Sequence, residues 1–330
     1  MDDLLAYVRR LPKAELHLHI EGTLEPELLF ALARRNKIKL RFAGVEALRK
    51  AYEFSDLQSF LDIYYEGAAV LRTEQDFHDL AMAYFARAHE DGVRHVEMFF
   101  DPQTHVSRGI DIGVVIDGLD SARILARQHF GISSGLILCF LRHLSEEDAL
   151  KTLKQALPYR DKLLGVGLDS GEKGNPPSKF VNAFARARAA GLRCVAHAGE
   201  EGPADYVNQA LDLLKAERID HGVRCLEDAA LVRRLAESGV PLTMCPLSNI
   251  KLRLFERLER HTLKTLLDHG VRVTINSDDP AYFGGYVARN YIETARALSL
   301  TRKDLARLAR HSIAASFLPD AAKARLAAAE

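Results

Sequence analysis

The chain is poor in cysteine, with four in 330 residues, and it has no tryptophan. Cys139, Cys194, Cys225 and Cys245 lie far apart, form no C-x-x-C pair and each sits in or beside an apolar stretch. That spacing excludes a disulfide framework and a cysteine-based metal or redox motif, and it predicts reduced, buried thiols. Neither sign of charge is in excess, since 45 basic residues face 45 acidic ones. The electrostatic footprint of a protein that binds nucleic acid or an anionic membrane is therefore missing, and a small, roughly neutral partner is expected. No apolar run approaches the ~18 residues of a membrane-spanning helix, and the opening MDDLLAYVRRLPKAEL has no uninterrupted apolar core of a signal peptide, so a cytoplasmic protein is expected. No G-x-G-x-x-G follows the first strand-like run, and no G-x-x-x-x-G-K-S/T occurs anywhere, which disfavours nucleotide-phosphate binding. Linkers, internal repeats and low-complexity blocks are also missing, and a single domain over 1–330 is the economical reading.

What the chain does have is 48% hydrophobic and 27% charged residues, enough to bury a large core. Its length fits two ordinary domains or one α/β barrel of ~250 residues with insertions. Eight short β-branched or apolar runs alternate with helical patterns: Ala14 to Leu18, Arg94 to Phe100, Gly135 to Leu141, Leu164 to Asp169, Arg193 to Ala198, Arg218 to His221, Pro241 to Cys245 and Val271 to Asn276. Helical stretches such as Thr73 to Asp91, Lys179 to Ala190 with Gly191 as its stop, and Asp228 to Ser238 separate them. This alternation predicts a parallel sheet closed as a (β/α)8 TIM barrel. A helical insertion follows the first strand, within 25–91, and a helical extension runs from Leu300 onward. The insertion reads as helices over Glu25 to Asn36, Val45 to Ala51 and Ser55 to Leu71, and carries Phe54, Phe60, Tyr64 and Tyr65. That is aromatic surface enough for a lid over a barrel mouth, although a helix packed on the outer wall has the same pattern.

In such a barrel the reactive residues project from the C-terminal ends of the strands. The first strand ends in His17-Leu18-His19, and because side chains alternate along a strand, both histidines face the interior. The fifth ends in His197-Ala198-Gly199-Glu200, the sixth in Asp220-His221-Gly222 and the eighth in Ser277-Asp278-Asp279-Pro280. Taken singly, each is more ordinary as a hydrogen-bonded strand residue or a turn. Their coincidence at one mouth has no structural reason, since burying such groups unpaired costs several kcal/mol, and it predicts a metal site. Three neutral imidazoles and a carboxylate suit Zn²⁺, and the chemistry to expect is hydrolysis. Glu200, three residues past His197, is within reach of a substrate beside the metal and, shielded from water, is a candidate proton donor; its plainer role is a carboxylate at a helix N-terminus. A merely structural metal site would be closed and would need neither Glu200 nor His221.

The ordered set His17-x-His19, His197-Ala198-Gly199-Glu200, Asp220-His221-Gly222, Cys245-Pro246-Leu247-Ser248-Asn249 and Ser277-Asp278-Asp279-Pro280 resembles the adenosine and adenine deaminases, over about Lys13 to Pro280. The resemblance implies a (β/α)8 barrel of the amidohydrolase superfamily with one zinc per chain. A lysine on the fourth strand, used by relatives with two metals, is not found in Leu164 to Asp169. Carried over position by position, the resemblance makes His17, His19, His197 and Asp278 the zinc ligands. It makes Glu200 the proton donor to N1 of a purine, His221 the group that orients the nucleophile and stabilises charge at C6, and Asp279 the partner of N7. The Cys-rich signature of the other zinc deaminases is missing.

Substrate choice turns on the first motif. Adenosine deaminases usually read H-x-H-L-D-G there, with the Asp on the ribose, whereas this chain reads His19-Ile20-Glu21-Gly22-Thr23-Leu24-Glu25-Pro26. The longer acid at Glu21 intrudes on the volume a ribose needs and favours a free base. This form, with Phe100-Asp101-Pro102-Gln103-x-His105 and Gly167-Leu168-Asp169-Ser170, is similar to the adenine deaminase branch. Asp169 or Ser170 is a candidate for the far side of the base, although Asp169-Ser170-Gly171-Glu172 departs from the Asp-Ser-Ser-Glu of that branch. The expected reaction is hydrolysis of adenine to hypoxanthine and ammonia, in purine salvage; the alternative is adenosine, or another N9-substituted or N6-modified purine, at the same centre. The remaining histidines, His261 among them, read as surface or packing residues, and only His105 enters a motif.

Overall fold

The computed structural model describes residues 3–328. Eight strands pair in parallel in chain order: β1 (Lys13–Glu15), β2 (Val93–Phe100), β3 (Ser133–Leu141), β4 (Leu163–Asp169), β5 (Arg193–Ala198), β6 (Arg218–His221), β7 (Leu242–Met244) and β8 (Val273–Ile275). The ring closes just beyond the ends of β8 and β1. There the Asp278 amide donates to His17 O at 3.1 Å, the His19 amide donates to Asp278 O at 3.0 Å, and the Leu16 amide donates to Asn276 Oδ1 at 2.9 Å. This is the (β/α)8 barrel expected from the alternation of runs.

β5 and β6 have the expected limits, whereas β1, β7 and β8 are shorter. For β1 the reason is local. The ladder with β2 shifts register between Lys13 and Ala14, and past Glu15 the extended chain bonds in turn to Phe99 and to Asp278 as isolated bridges. The histidine segment thus stays extended without belonging to a regular ladder. The expected helix from Lys179 opens instead with a 3₁₀ turn, Pro177–Phe180, continues as Val181–Ala189, and stops where Gly191 takes φ +76°, a conformation glycine adopts without a Cβ penalty. Helix Glu74–Glu90 starts at a capping box made by Thr73 and Asp76, and helix Arg302–Ala315 at one made by Thr301 and Asp304. All four cysteines are free and buried. No helix among the described residues is long and apolar enough to cross a membrane.

Alternate residues of the strands point inward and fill the barrel in tiers. At the base, Glu97 accepts hydrogen bonds from Arg218 Nη1 at 2.6 Å, His95 Nε2 at 3.1 Å and the Phe317 amide at 2.5 Å. Above it Phe99, Ile137, Cys139 and Val195 form an apolar plug. Gly167 is needed at this level, because a Cβ there would meet Cys139 Sγ at 2.6 Å. Two residues further along the same strands stand Asp101, Asp169, His197 and Asp220, the polar tier at the mouth. The insertion lies over that mouth through helix Leu57–Ala68, whose Leu57, Phe60, Leu61, Tyr64 and Tyr65 line the cavity below.

The Glu97–Arg218 pair is fully buried. Burial alone would raise the Glu97 carboxyl, but the Arg218 charge and His95 hold it down at about 2. Removing one partner strands a charge, so Arg218→Met is expected to lower the unfolding free energy by about 3–5 kcal/mol, read from urea denaturation at pH 7. Because the folded-state pKa is depressed, the wild-type contribution is present above the unfolded carboxylate value. It is lost as pH falls toward about 2.

Candidate active site

Four side chains bring their ring nitrogens and a carboxylate oxygen into one small volume. His17 Nε2 lies 3.2 Å from Asp278 Oδ1, His19 Nε2 lies 3.2 Å from His197 Nε2, and His19 Nε2 lies 3.5 Å from Asp278 Oδ1. All are buried, and His17 Nε2 has no hydrogen-bond partner among the described residues. The other face of His17 fixes its tautomer: Nδ1 stands 3.0 Å from the Thr243 carbonyl, which only accepts, so Nδ1 carries the proton and Nε2 the lone pair. Thr243 in turn donates its hydroxyl to Asp220 Oδ1 at 2.7 Å, and Asp220 Oδ2 is 3.6 Å from His197 Nδ1. Burial holds His19 down at about 4 and pushes His197 and His221 well below the usual imidazole range, the direction of the neutral ring that metal ligation requires of His19 and His197. Burial also opposes charge on His17, but Asp278 and Asp220 beside it outweigh burial and raise it.

The three separations given are those of a tetrahedral zinc site, while the four-residue cluster whose ligand atoms all lie within 4.8 Å of one another holds His221 in place of His19, which groups with Asp278 and Asp279. Ligands at bonds of about 2.0–2.1 Å stand about 3.3 Å from one another in that geometry, close to the separations here. Two imidazole nitrogens 3.2 Å apart repel unless a proton or a cation lies between them. His221 belongs to the same group, since His17, His197, His221 and Asp278 bring ligand atoms within 4.8 Å of one another. Its Nε2 is 3.7 Å from Asp278 Oδ2 and 3.4 Å from Glu200 Oε1. Both Asp278 and His221 take left-handed backbone, at φ +63° each, a strained conformation that non-glycine residues keep mainly at functional positions.

The cavity is lined by His19, Asp101, Asp169, Ser170, His197, Glu200, His221, Asp278 and Asp279 on the barrel side. Burial, and then the charges of Asp278 and Glu172, push the Glu200 carboxyl well above the usual range, the direction that favours its protonated form. Asp279 is raised in the same way by burial and by Asp278. Asp169 is raised to about 7 by burial, and Asp101 well above its usual value by burial and the Asp169 charge. Asp101 Oδ1, Asp169 Oδ1 and Asp279 Oδ1 are buried without a hydrogen-bond partner among the described residues, and Asp169 Oδ2 faces His19 Nδ1 at 3.4 Å. Tyr64 donates to Asp101 Oδ2 at 3.2 Å, and Tyr65 donates to Ser170 Oγ at 2.9 Å.

Glu21 does not line this cavity. Its Oε1 accepts from the Asp101 amide at 3.0 Å and pairs with His105 Nε2 at 2.8 Å, so it fixes Asp101, and Asp101 forms the wall. The stretch Phe100 to His105 thus has a role that its residue types alone do not reveal. Gln103 Oε1 adds to it by accepting from the Leu141 amide at 2.8 Å. Sequence reasoning also missed Arg142 and Glu172. Glu172 is wholly buried and accepts four amide hydrogens, from Gly199 at 2.8, Glu200 at 3.0, Glu201 at 2.8 and Gly202 at 2.7 Å. Arg142, also buried, donates to the His197 carbonyl at 2.7 Å. Together they clamp the loop that carries His197 and Glu200.

The sequence profile of adenosine deaminase matches residues 12–329. The chain belongs to the adenosine deaminase family. Among curated relatives, it is 63% identical over 325 residues to the adenine deaminase of Cupriavidus taiwanensis, covering 98% of this chain and 93% of that one. It is 60% identical over 322 residues to the adenine deaminase of Hahella chejuensis, at 98% and 96% coverage. Among solved structures, it resembles the adenine deaminase of Arthrobacter aurescens with a TM-score of 0.95, 53% identity and coverage of 96% and 97%. A zinc-bound amidohydrolase of Burkholderia ambifaria gives a TM-score of 0.92 at 28% identity, covering 99% and 92%.

For this family member the clamp makes a direct prediction. Glu172→Gln keeps the volume but sets an amide N–H against amide N–H donors. It is expected to lower the unfolding free energy by about 1–3 kcal/mol and to raise hydrogen exchange at 199–202 relative to the β5 core. Unchanged exchange in that loop would mean the four bonds do not hold it.

Proposed function

We propose that this protein is a zinc-dependent adenine deaminase that hydrolyses free adenine to hypoxanthine and ammonia, with His17, His19, His197 and Asp278 holding one metal ion. Bound there, zinc would supply a Lewis acid and make hydroxide available at neutral pH. The curated relatives at 60–63% identity are adenine deaminases, and a structural relative at 28% identity binds zinc. The observation that carries the choice of substrate is the set of buried carboxyls with unpartnered oxygens, Asp101, Asp169 and Asp279, around a cavity closed by Phe60, Tyr64 and Tyr65. A free purine offers ring nitrogens of both kinds, lone pairs and one N–H, and such a wall can satisfy both.

The residues divide the work by protonation state. Glu200, its carboxyl raised well above the usual range by burial, gives a proton to N1, which weakens the C6–N1 double bond and opens C6 to attack. Asp279, raised by burial and by Asp278 beside it, donates a hydrogen bond to N7. His221, beside Glu200, interacts with the attacking oxygen as charge develops. Asp169 and Ser170 stand with Asp101 toward the N3 and N9 side, where a free base carries N–H and a nucleoside carries ribose. Glu21 acts on that side through Asp101. Salvage of free purine base is the metabolic role that follows from this reaction. The whole of 1–330 serves as one catalytic domain, with the insertion as its cover.

Loss of the adenine absorbance band, followed with equal concentrations of adenine and adenosine on a preparation of known zinc content, tests this reading. Turnover of adenine and not of adenosine is expected; preference for adenosine would overturn the assignment of the base side and leave the metal centre intact. A second outcome concerns the acid: Glu200→Gln is expected to retain zinc and to lose turnover by ~10² or more, as removal of a general acid does. Collapse of zinc content in that variant would mean that Glu200 serves the metal.

A further inference from the structure

The behaviour of His221 depends on which ring nitrogen carries its proton, and a line of contacts behind the ring decides it. The line starts at the Leu263 amide, the first of helix Leu263–Asp268 and so without a partner inside the helix. A backbone N–H only donates, and this one reaches His261 Nδ1 at 3.2 Å, which makes Nδ1 the lone-pair nitrogen. His261 is 3% exposed and packs its ring on Phe255; burial pushes it down to about 3, so the ring is neutral and its single proton is on Nε2. That Nε2 donates to Asn249 Oδ1 at 3.0 Å. With its oxygen committed, the Asn249 carboxamide turns its nitrogen toward His221 Nδ1, 3.3 Å away. An amide nitrogen also only donates, so His221 Nδ1 accepts, and the His221 proton is on Nε2, facing Glu200 and Asp278.

We propose that His261 and Asn249 are positioning residues that lock His221 as its Nε2–H tautomer, so that it meets the reacting oxygen as a hydrogen-bond donor and stays outside the metal's ligand set. The second half of the statement follows from distance. His221 shares a 4.8 Å cluster of ligand atoms with His17, His197 and Asp278, and an Nε2 lone pair there would compete for the cation. The lock has no exposed step, because His221, Asn249 and His261 are all buried. Asn249 lies in the Cys245–Asn249 motif, whereas His261 is 12 positions further on and carries no motif of its own. The inference rests on the deaminase reading for its catalytic consequence, but not for the tautomer itself.

The test uses ¹⁵N-histidine-labelled full-length protein, metal-free and zinc-loaded, with the His221 signal assigned by its loss in His221→Gln. Wild-type His221 is expected as the pure Nε2–H form in both states. In Asn249→Asp the carboxylate accepts from both rings and turns His221 to Nδ1–H. Adenine turnover is then expected to fall by ~10² or more, the scale seen when a catalytic histidine is held in the wrong tautomer, with zinc bound and KM within about threefold. His261→Gln, which offers a carbonyl to Leu263 and an amide to Asn249, should retain the wild-type tautomer and most of kcat, and His261→Leu should lose both. Retention of Nε2–H in Asn249→Asp, or kcat within about twofold of wild type with the tautomer changed, would overturn the proposal. If Asn249→Asp fails to fold, an unchanged His221 spectrum in His261→Leu overturns it instead. Because the spectrum needs no substrate, inactivity on adenine would sink the function proposed above while the lock stood or fell on its own signal.

Discussion

The site depends on one main-chain junction. Asp278 gives its amide to His17 O and accepts from the His19 amide, and these two bonds join the last strand end to the first. With both backbone groups committed and its φ at +63°, Asp278 has little freedom left, and its Oδ1 is held 3.2 Å from His17 Nε2 and 3.5 Å from His19 Nε2. Closing the barrel and assembling the cluster proposed to hold the metal are therefore the same event. A register slip of one residue at this seam would turn Leu18 inward and both histidines outward, so that cluster is tied to the correct closure. The strain of a left-handed aspartate, of order 1–3 kcal/mol, is offset by the ring of ladders it completes.

A chain with no net charge still gathers an unusual density of acid at one end. Glu21, Asp101, Asp169, Glu172, Glu200, Asp220, Asp278 and Asp279 are all buried around the mouth. Ionised together and unpaired they could not coexist in a low-dielectric cavity. The structure resolves the conflict differently at each position. Glu172 is satisfied by four backbone amides, Glu21 by an amide and the His105 ring, and Asp220 by Thr243. Asp278 is held well below the usual range, because His17, by its charge and its hydrogen bond, outweighs the burial that opposes charge on the carboxyl. Glu200 and Asp279 have no such compensation, and burial raises both well above the usual carboxylate range. The same desolvation is thus overcome at one residue and left to raise the pKa at the next.

The parts legible in the sequence were those set by short-range periodicity. Alternation along a strand is enough to put His17 and His19 on one face and Leu18 in the outer core, and the strand-end rule is enough to bring His197, His221 and Asp278 to the same mouth. Limits of β1, β7 and β8 were less legible, because hydrophobic runs extend beyond the residues that make a regular ladder. What the sequence hid are contacts set by the closed geometry between residues of unremarkable type. Glu172 is given no role by its residue type or spacing, yet it organises a loop 27 residues later. Glu21 reads as a wall of the cavity, yet it is turned to Asp101 and His105, 80 and 84 positions away. His261 reads as packing, and its hydrogen bonds are local, but their meaning appears only when Asn249 and His221 are seen behind one another. Residue type and spacing mark where chemistry gathers; the supporting contacts need the fold.

On the proposed reading, selectivity for a free base follows from the pattern of donors and acceptors more than from size. The adenine tautomer with hydrogen on N9 presents lone pairs at N1 and N7 and a proton at N9. Glu200 and Asp279, raised by burial, supply protons to the two lone pairs, and the carbonyl oxygens that the Asp101 and Asp169 carboxyls keep in either protonation state supply acceptors on the other side. Both edges of the ring are then matched without any charge being left on it. A nucleoside has carbon at N9, so it would leave those acceptors dry and unpaired, a loss of about 1–3 kcal/mol for each group. Rejecting a molecule that lacks a hydrogen bond is the kind of discrimination a polar site does well, whereas rejecting an added group by an apolar wall alone is weak. The aromatic cover of Phe60, Tyr64 and Tyr65 serves this end as well, because it keeps out the water that would otherwise satisfy the same oxygens.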